Sequence, residues 1–314
     1  MTSSQTPPTR SAPARSRTTG DGDAAAGLSS RDRTLLIGIA LVVVAVLGYL
    51  VLRDGAAPET AAEPGAGAEL EHVHGLGVDP GEGILYAGTH YGLFRLPADG
   101  QGTRVADRVQ DFMGFTVAGP DHFLASGHPG IGQDAPSSLG LIESTDGGLT
   151  WRPLSLAGEA DFHALEYRHG TVYGLNALTC EFMVSADKTT WETRTRLPMA
   201  DFAVSPDDPD VIVATTEQGL ASSDDGGRNF TLVRGAPLMQ LVSWAEDGTL
   251  VGAGPEGTVY VRTGDGGTWQ RRGVLEGAPE ALAAVNLEEI YAAADAAVMV
   301  STDGGREFVV RYQD

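Results

Sequence analysis

An all-β fold assembled from a repeated four-stranded unit is what this 314-residue sequence predicts, and three observations carry the expectation. One phrase recurs five times: Ser144-Thr-Asp146-Gly-Gly148-Leu-Thr-Trp151, Ser185-Ala-Asp187-Lys-Thr-Thr-Trp191, Ser223-Asp-Asp225-Gly-Gly227-Arg-Asn-Phe230, Thr263-Gly-Asp265-Gly-Gly267-Thr-Trp269 and Ser301-Thr-Asp303-Gly-Gly305-Arg-Glu-Phe308. The first residues of the copies lie 41, 38, 40 and 38 positions apart, and a period near forty marks a repeat architecture. Between the copies, short apolar runs alternate with turn residues, the pattern of consecutive hairpins.

The phrase itself reads as a hairpin lock. A short Asp accepts hydrogen bonds from backbone N–H groups of its own turn, and the glycines supply positive φ at little steric cost. The closing Trp or Phe buries a large ring against a neighbouring hairpin. Calcium ligation needs six or more oxygens around one ion, which one Asp per turn does not supply, so the phrase builds scaffold.

Four strands, A to D, are predicted around each copy. The first phrase lies between Phe112–Ala118, His122–Ser126 and Leu139–Ser144 on one side and Trp151–Leu156 on the other. The order repeats as Phe162–Arg168, Thr171–Asn176, Phe182–Ser185 and Trp191–Leu197, then as Phe202–Ser205, Val211–Thr215, Leu220–Ser223 and Phe230–Arg234. It continues as Gln240–Ala245, Thr249–Ala253, Thr258–Thr263 and Trp269–Val274, and as Leu282–Val285, Ile290–Ala293, Val298–Ser301 and Phe308–Tyr312. Ahead of them, His72–Val78, Ile84–Gly88, Leu93–Leu96 and Arg104–Val109 fit without the phrase. Six such units predict a six-bladed β-propeller that closes without a borrowed strand.

The repeated phrase resembles the Asp-box, or BNR repeat, of sialidase-like propellers. Three copies keep the full Ser-x-Asp-x-Gly-x-x-aromatic spacing; those at Ser185 and Thr263 are one residue short, and the Ser185 copy lacks the glycine. The resemblance covers about 70–314 and extends to membrane-anchored bacterial proteins filed as glycosyl hydrolases or exo-alpha-sialidases.

The segments before the repeats set the expected location. Residues 1–33, rich in Ser, Thr, Pro, Ala and Arg, are expected to be disordered. Residues 34–52 contain an 18-residue run without a charge, Leu35–Leu52, long enough to span a bilayer. The leading segment holds five Arg against three acids, which puts the N-terminus in the cytoplasm and the rest outside. A cleaved signal peptide is the competing reading, but the run and its leader are long for one. Residues 53–70 read as a flexible tether and 71–314 as the propeller, expected to be a monomer.

Residues 53–314 carry 16 basic against 39 acidic residues, a net of −23. That surface repels nucleic acid and anionic lipid and favours cations or basic partners. The sole cysteine, Cys180, excludes an intramolecular disulfide, and its commonest role is a buried small hydrophobe. Lysine occurs once, at Lys188, against twenty arginines, a bias read here as genomic composition.

Antiparallel alternation sorts every loop onto one of two faces. A-strand starts and B–C loops share one face; A–B loops and the box turns share the other. His72, His74 and His163 begin A strands and His90 and His128 end B strands, so five of seven histidines fall opposite the boxes. His74, Met113, His163, Ala200, Met239 and Glu280 come to one level of the channel, with Asp111 and Asp161 near the position of His72. His72-x-His74 within a strand sends both imidazoles to one side. With His90, His128 and His163 nearby they form a candidate copper or zinc site, and Met113 or Met239 would favour copper. Asp161 is placed to orient His163, and Glu166 and Glu217 are candidate acid/base carboxylates.

The family resemblance also implies an enzyme, an exo-sialidase-like glycoside hydrolase. Such enzymes clamp the substrate carboxylate with three arginines and use a Tyr nucleophile helped by a Glu. Here Arg95, Arg104, Arg108, Arg152, Arg194, Arg196, Arg228, Arg234, Arg262, Arg271, Arg272, Arg306 and Arg311 are expected in C strands, D strands and box turns, with Arg168 at the far end of an A strand. None falls on the opposite face, where sialidase chemistry occurs. The sequence therefore points to a ligand- or metal-binding or assembly module before a sialidase. The resemblance extends to a photosystem assembly factor and the sortilin ectodomain, which bind proteins without catalysis.

Overall fold

The computed structural model describes residues 70–107, 109–264 and 266–313. The expected cytoplasmic segment 1–33, the anchor 34–52 and the tether up to residue 69 lie outside the described residues, as do Arg108, Asp265 and Asp314. No helix among the described residues is long and apolar enough to cross a membrane.

The strands form six four-stranded antiparallel sheets, each built from four consecutive strands. Blade 1 comprises β1 (Val73–Asp79), β2 (Ile84–Thr89), β3 (Gly92–Leu96) and β4 (Thr103–Arg104). Blade 2 comprises β5 (Asp111–Gly119), β6 (His122–His128), β7 (Leu141–Ser144) and β8 (Arg152–Ser155). Blade 3 comprises β9 (Phe162–Arg168), β10 (Thr171–Asn176), β11 (Glu181–Ser185) and β12 (Glu192–Arg196). Blade 4 comprises β13 (Asp201–Val204), β14 (Ile212–Thr216), β15 (Gly219–Ser223) and β16 (Thr231–Leu232). Blade 5 comprises β17 (Leu241–Trp244), β18 (Thr249–Ala253), β19 (Thr258–Thr263) and β20 (Gln270–Val274). Blade 6 comprises β21 (Pro279–Asn286), β22 (Glu289–Ala294), β23 (Ala297–Ser301) and β24 (Val309–Gln313).

Hydropathy tracks radial position. The B and C strands lie between neighbouring blades and are apolar on both faces, as in the fully buried Leu-Val-Gly-Ala run of β18. The outermost strands meet solvent, and β12 (Glu-Thr-Arg-Thr-Arg) has no buried residue. Two of these outer strands are shorter than their sequences suggest: β4 ends at Arg104 and β16 at Leu232. Arg234 consequently sits in the connection from blade 4 to blade 5, on the histidine face, and not in a strand.

The box turns lock as their chemistry requires. Ser223 Oγ donates to Asp225 Oδ1 at 2.8 Å and accepts from Gly227 N at 2.9 Å, and Ser144 and Ser301 repeat both contacts at the same distances. The same carboxylate oxygen also accepts backbone N–H groups, including Thr150 in the first box and Asn229 in the third. These bonds hold Asp146, Asp225 and Asp303 below the usual carboxylate range, Asp225 at about 2. In the degenerate copy Lys188 stands where the other boxes place a left-handed glycine, with φ 65° against 69° for Gly147. Its ammonium donates to the buried Glu143 at 2.7 Å, beside His122 and Arg152, and lies 5.5 Å above the Tyr167 ring. The lone lysine therefore clasps blade 3 to blade 2, a role that composition could not reveal.

The innermost strand of each blade is a sheet edge, and its inward N–H groups need acceptors. The preceding blade supplies one to β9, β13, β17, β21 and β1, and between blades 1 and 2 the acceptor instead serves the β5–β6 turn. Asp121 N donates to Asp79 Oδ2 (2.8 Å), Phe162 N to Ser126 Oγ (3.0 Å) and Val204 N to Glu166 Oε2 (2.9 Å). Val242 N donates to Asp201 Oδ2 (2.9 Å), Ala284 N to Ser243 Oγ (2.9 Å) and, closing the ring, Val73 N to Glu280 Oε2 (3.0 Å). No strand is exchanged between blades 6 and 1; beyond that bond, Arg311 donates to Ala98 O at 3.0 Å, and Ala281, Ala293, Val298 and Tyr312 pack against Val73, Leu76 and Phe94.

Candidate functional site

The six inner strands surround a channel of about 910 Å³ lined by residues that include His74, His163, Ala200, Asp201, Gln240 and Glu280. The channel carboxylates Glu166 and Asp201 are spoken for. Glu166 accepts from Arg168 Nε at 2.8 Å as well as from Val204 N, and Asp201 accepts from Phe202 N and Val242 N, each at 2.9 Å. Burial raises the pKa of both, Asp201 to about 7. Glu166 thus joins blades, while Glu217 is exposed at its B–C corner.

At the mouth opposite the boxes, His72, His74 and His90 come together, with one ring nitrogen from each lying within 4.8 Å of the others. His74 Nε2 is 3.4 Å from His72 Nδ1 and 3.3 Å from His90 Nε2. The imidazoles of His72 and His90 stack with centroids 5.2 Å apart, and His74 meets both edge-on. Burial, followed by the neighbouring imidazoles of His90, His72, His163 and His128, pushes His74 down from 6.5 to about 2. His74 is therefore neutral across the physiological range, as a metal ligand must be.

The convergence has a different cause from the expected strand alternation. His72 lies before β1 in a left-handed conformation (φ 51°), and the β1–β2 register slips between Val73 and Gly75, leaving His74 in a bulge. A non-glycine residue held there is a local strain of the kind that concentrates at functional sites. His90 Nδ1 donates to Asp111 Oδ1 at 3.0 Å, which orients the ring, and His74 Nε2 lies 3.4 Å from that nitrogen and 3.3 Å from His90 Nε2. Strand direction places both Asp111 and His90 on this face but does not pair them.

His128 and His163 form a separate group one blade further round. His163 Nε2 lies 3.0 Å and His128 Nε2 3.7 Å from the same oxygen of buried Asp161, so the expected Asp161–His163 pair is present. His128 Nδ1 donates to Ser137 O at 2.7 Å, which ties the ring to the loop following β6. Burial raises the Asp161 carboxyl, but the hydrogen bond and charge of His163, with the charge of His128, carry it below the usual range. The six candidate residues therefore divide into the three-imidazole cluster, this Asp161-centred pair, and Met113. Met113 occupies the β5 bulge between the Phe112–Gly127 and Gly114–Ser126 pairs, half-buried. Met239 is a core residue packed with Val242, Trp244 and Leu250, which removes it as a ligand. Cys180 is exposed, so the buried-hydrophobe reading does not hold. Among the described residues, Arg234 lies in the connection on this face, and Arg196 reaches its β10–β11 corner through an ion pair with Glu181 at 2.7 Å.

No protein-family model and no curated protein matches the chain. Solved structures do. The chain is similar to a gluconolactonase of Xanthomonas campestris, with a TM-score of 0.57 and 12% identity over 78% of this chain and 94% of that one. It is similar to a chain of a nidogen/laminin complex, with a TM-score of 0.54 and 13% identity over 72% of this chain and 91% of that one. It is also similar to an ancestral GH74 enzyme, with a TM-score of 0.50 and 14% identity over 81% of this chain, and it spans 39% of that longer chain. These identities establish the shared fold and nothing finer.

Proposed function

We propose that this chain is a metal-binding propeller that holds one zinc or copper ion on His72, His74 and His90 at the channel mouth opposite the box turns. The observation that carries the reading is the spacing of the ring nitrogens. An ion bound tetrahedrally at about 2.05 Å has ligands about 3.3 Å apart. The contacts to His74 Nε2 are 3.4 and 3.3 Å. The His90–Asp111 contact supplies the carboxylate partner that a metal-bound imidazole ordinarily has. Three protein ligands leave a fourth position for water or an exogenous ligand.

The apolar run Leu35–Leu52 and its basic flank support placing this site outside a membrane that anchors the chain. The Asp-box phrase supports kinship with the sialidase-like propellers. The glycoside-hydrolase alternative gains a fold precedent from the GH74 enzyme, but the same fold serves a lactonase and a protein complex, so it selects no chemistry. An assembly role is compatible with a bound ion.

The test is elemental analysis of the chain purified without affinity metal, followed by calorimetric titration with zinc and with copper. One ion per chain is expected, lost in His74→Ala and in His90→Ala while the melting temperature of the metal-free protein stays within a few degrees. An ion-free wild type that takes up neither metal would overturn the reading.

A further inference from the structure

The six junction bonds are alike in kind but differ in what they hold. Five receive N–H groups away from the three clustered imidazoles. The sixth receives Val73, the residue between His72 and His74, and its acceptor Glu280 lies 207 positions away on the last blade. Val73 itself pairs with Thr89 in the β1–β2 ladder, but the backbone on either side of it leaves that ladder. His72 is left-handed before it, and the register slip lets His74 bulge out of the ladder after it. The peptide that fixes the spacing of two imidazoles is therefore anchored from across the closure of the ring.

Resting on the metal reading above, we propose that Glu280 is a positioning residue for the imidazole cluster, so that metal affinity and closure between blade 6 and blade 1 are coupled. When Glu280 accepts from Val73 N, the His72–His74 segment is pre-set and the ion pays no cost of ordering it. By linkage, an ion that prefers the closed arrangement strengthens closure by the same free energy. The coupling has room to act because no shared strand joins these blades.

The experiment titrates zinc and copper into the full-length chain in detergent, comparing wild type with Glu280→Ala, Glu280→Gln and Asp201→Ala. Asp201 serves the equivalent bond between blades 4 and 5, away from the histidines. Glu280→Ala is expected to weaken metal binding about tenfold or more, the usual effect of removing a partner that orients a ligand. Glu280→Gln keeps an acceptor for Val73 N and restores the affinity. Asp201→Ala lowers the melting temperature and leaves the affinity unchanged. Saturating metal raises the melting temperature of wild type by more than that of Glu280→Ala. Unchanged affinity in Glu280→Ala would overturn the proposal, as would an equal loss in Asp201→Ala or failure of Glu280→Gln to restore binding. If Glu280→Ala does not fold, Glu280→Asp, one methylene short of Val73 N, carries the same comparison. A wild type that binds no ion refutes the metal reading itself, whereas an ion held equally by all variants refutes only the role of Glu280.

Discussion

The two faces of the disc are made from the ends of the same strands, yet their polar groups are arranged to opposite effect. On the box face Asp146, Asp187, Asp225 and Asp303 each accept from a serine hydroxyl and backbone N–H groups, and those bonds lower their pKa values. On the histidine face three imidazoles turn ring nitrogens towards one another, and the buried Oδ1 of Asp161 has no hydrogen-bond partner among the described residues. The box turn recurs in five of the six blades, and its described carboxylates are satisfied within their own turns. The histidine face does not repeat, and it gathers several imidazoles and carboxylates, which no other part of the described blades does. Repetition here marks scaffold, and the departure from repetition is where the proposed site lies.

The strongest break of this division is in the core beneath the boxes. Phe182 is fully buried against Phe202 and Phe230, with centroids 5.0 and 6.1 Å away, so Phe182→Ala is expected to cost about 3–5 kcal/mol in chemical denaturation. The metal stoichiometry of the folded fraction should not move, and its loss would show that the faces are not independent. Glu143→Ala removes the acceptor shared by Lys188, His122 and Arg152 and should cost about 2 kcal/mol, because those partners retain some solvent. Within the boxes, Ser223→Ala strands the buried N–H of Gly227 and should cost about 1–2 kcal/mol. Ser185→Ala should cost less, since that hydroxyl makes only a 3.2 Å contact with Asp187 among the described bonds. Equal effects in a urea series would remove the distinction between full and degenerate boxes.

The smallest effect sharpens the comparison through pH. Burial, aided by the charge of Glu166, raises Asp201 from 3.8 to about 7. A raised folded pKa means stability that is fully present below the unfolded value and lost as pH rises through the folded one. Wild type should therefore lose stability between about pH 4 and 7 through this group, while Asp201→Asn does not. The melting temperature of the variant relative to wild type should climb across that window and level off above it. A difference that stays flat with pH would mean Asp201 ionises normally.

The fold was legible because its signal is redundant: five phrases at one period, each with the residues its turn needs. The grouping of histidines on one face was legible too, since it follows from strand direction alone. The local geometry was not. His72 and His74 converge through a left-handed residue and a bulge, which period-two alternation cannot anticipate. His128 and His163 share the face with the cluster but gather on Asp161, because a step of one blade separates them from it. The junction bonds escaped because Asp79, Ser126, Glu166, Asp201, Ser243 and Glu280 share neither residue type nor position within their blades. The role of Lys188 was not legible because its partner Glu143 lies 45 positions away on the neighbouring blade.

Closure without an exchanged strand also bears on how such a chain is inherited. Each blade is one uninterrupted stretch of about forty codons, so a single duplication or deletion at blade boundaries adds or removes a whole sheet and leaves no half-sheet behind. A propeller sealed by a strand from its opposite terminus has no such freedom, because one of its sheets is encoded in two distant places. Here one contact recurs at every boundary, a side-chain acceptor for a backbone N–H, and serine, aspartate and glutamate have all been recruited to supply it.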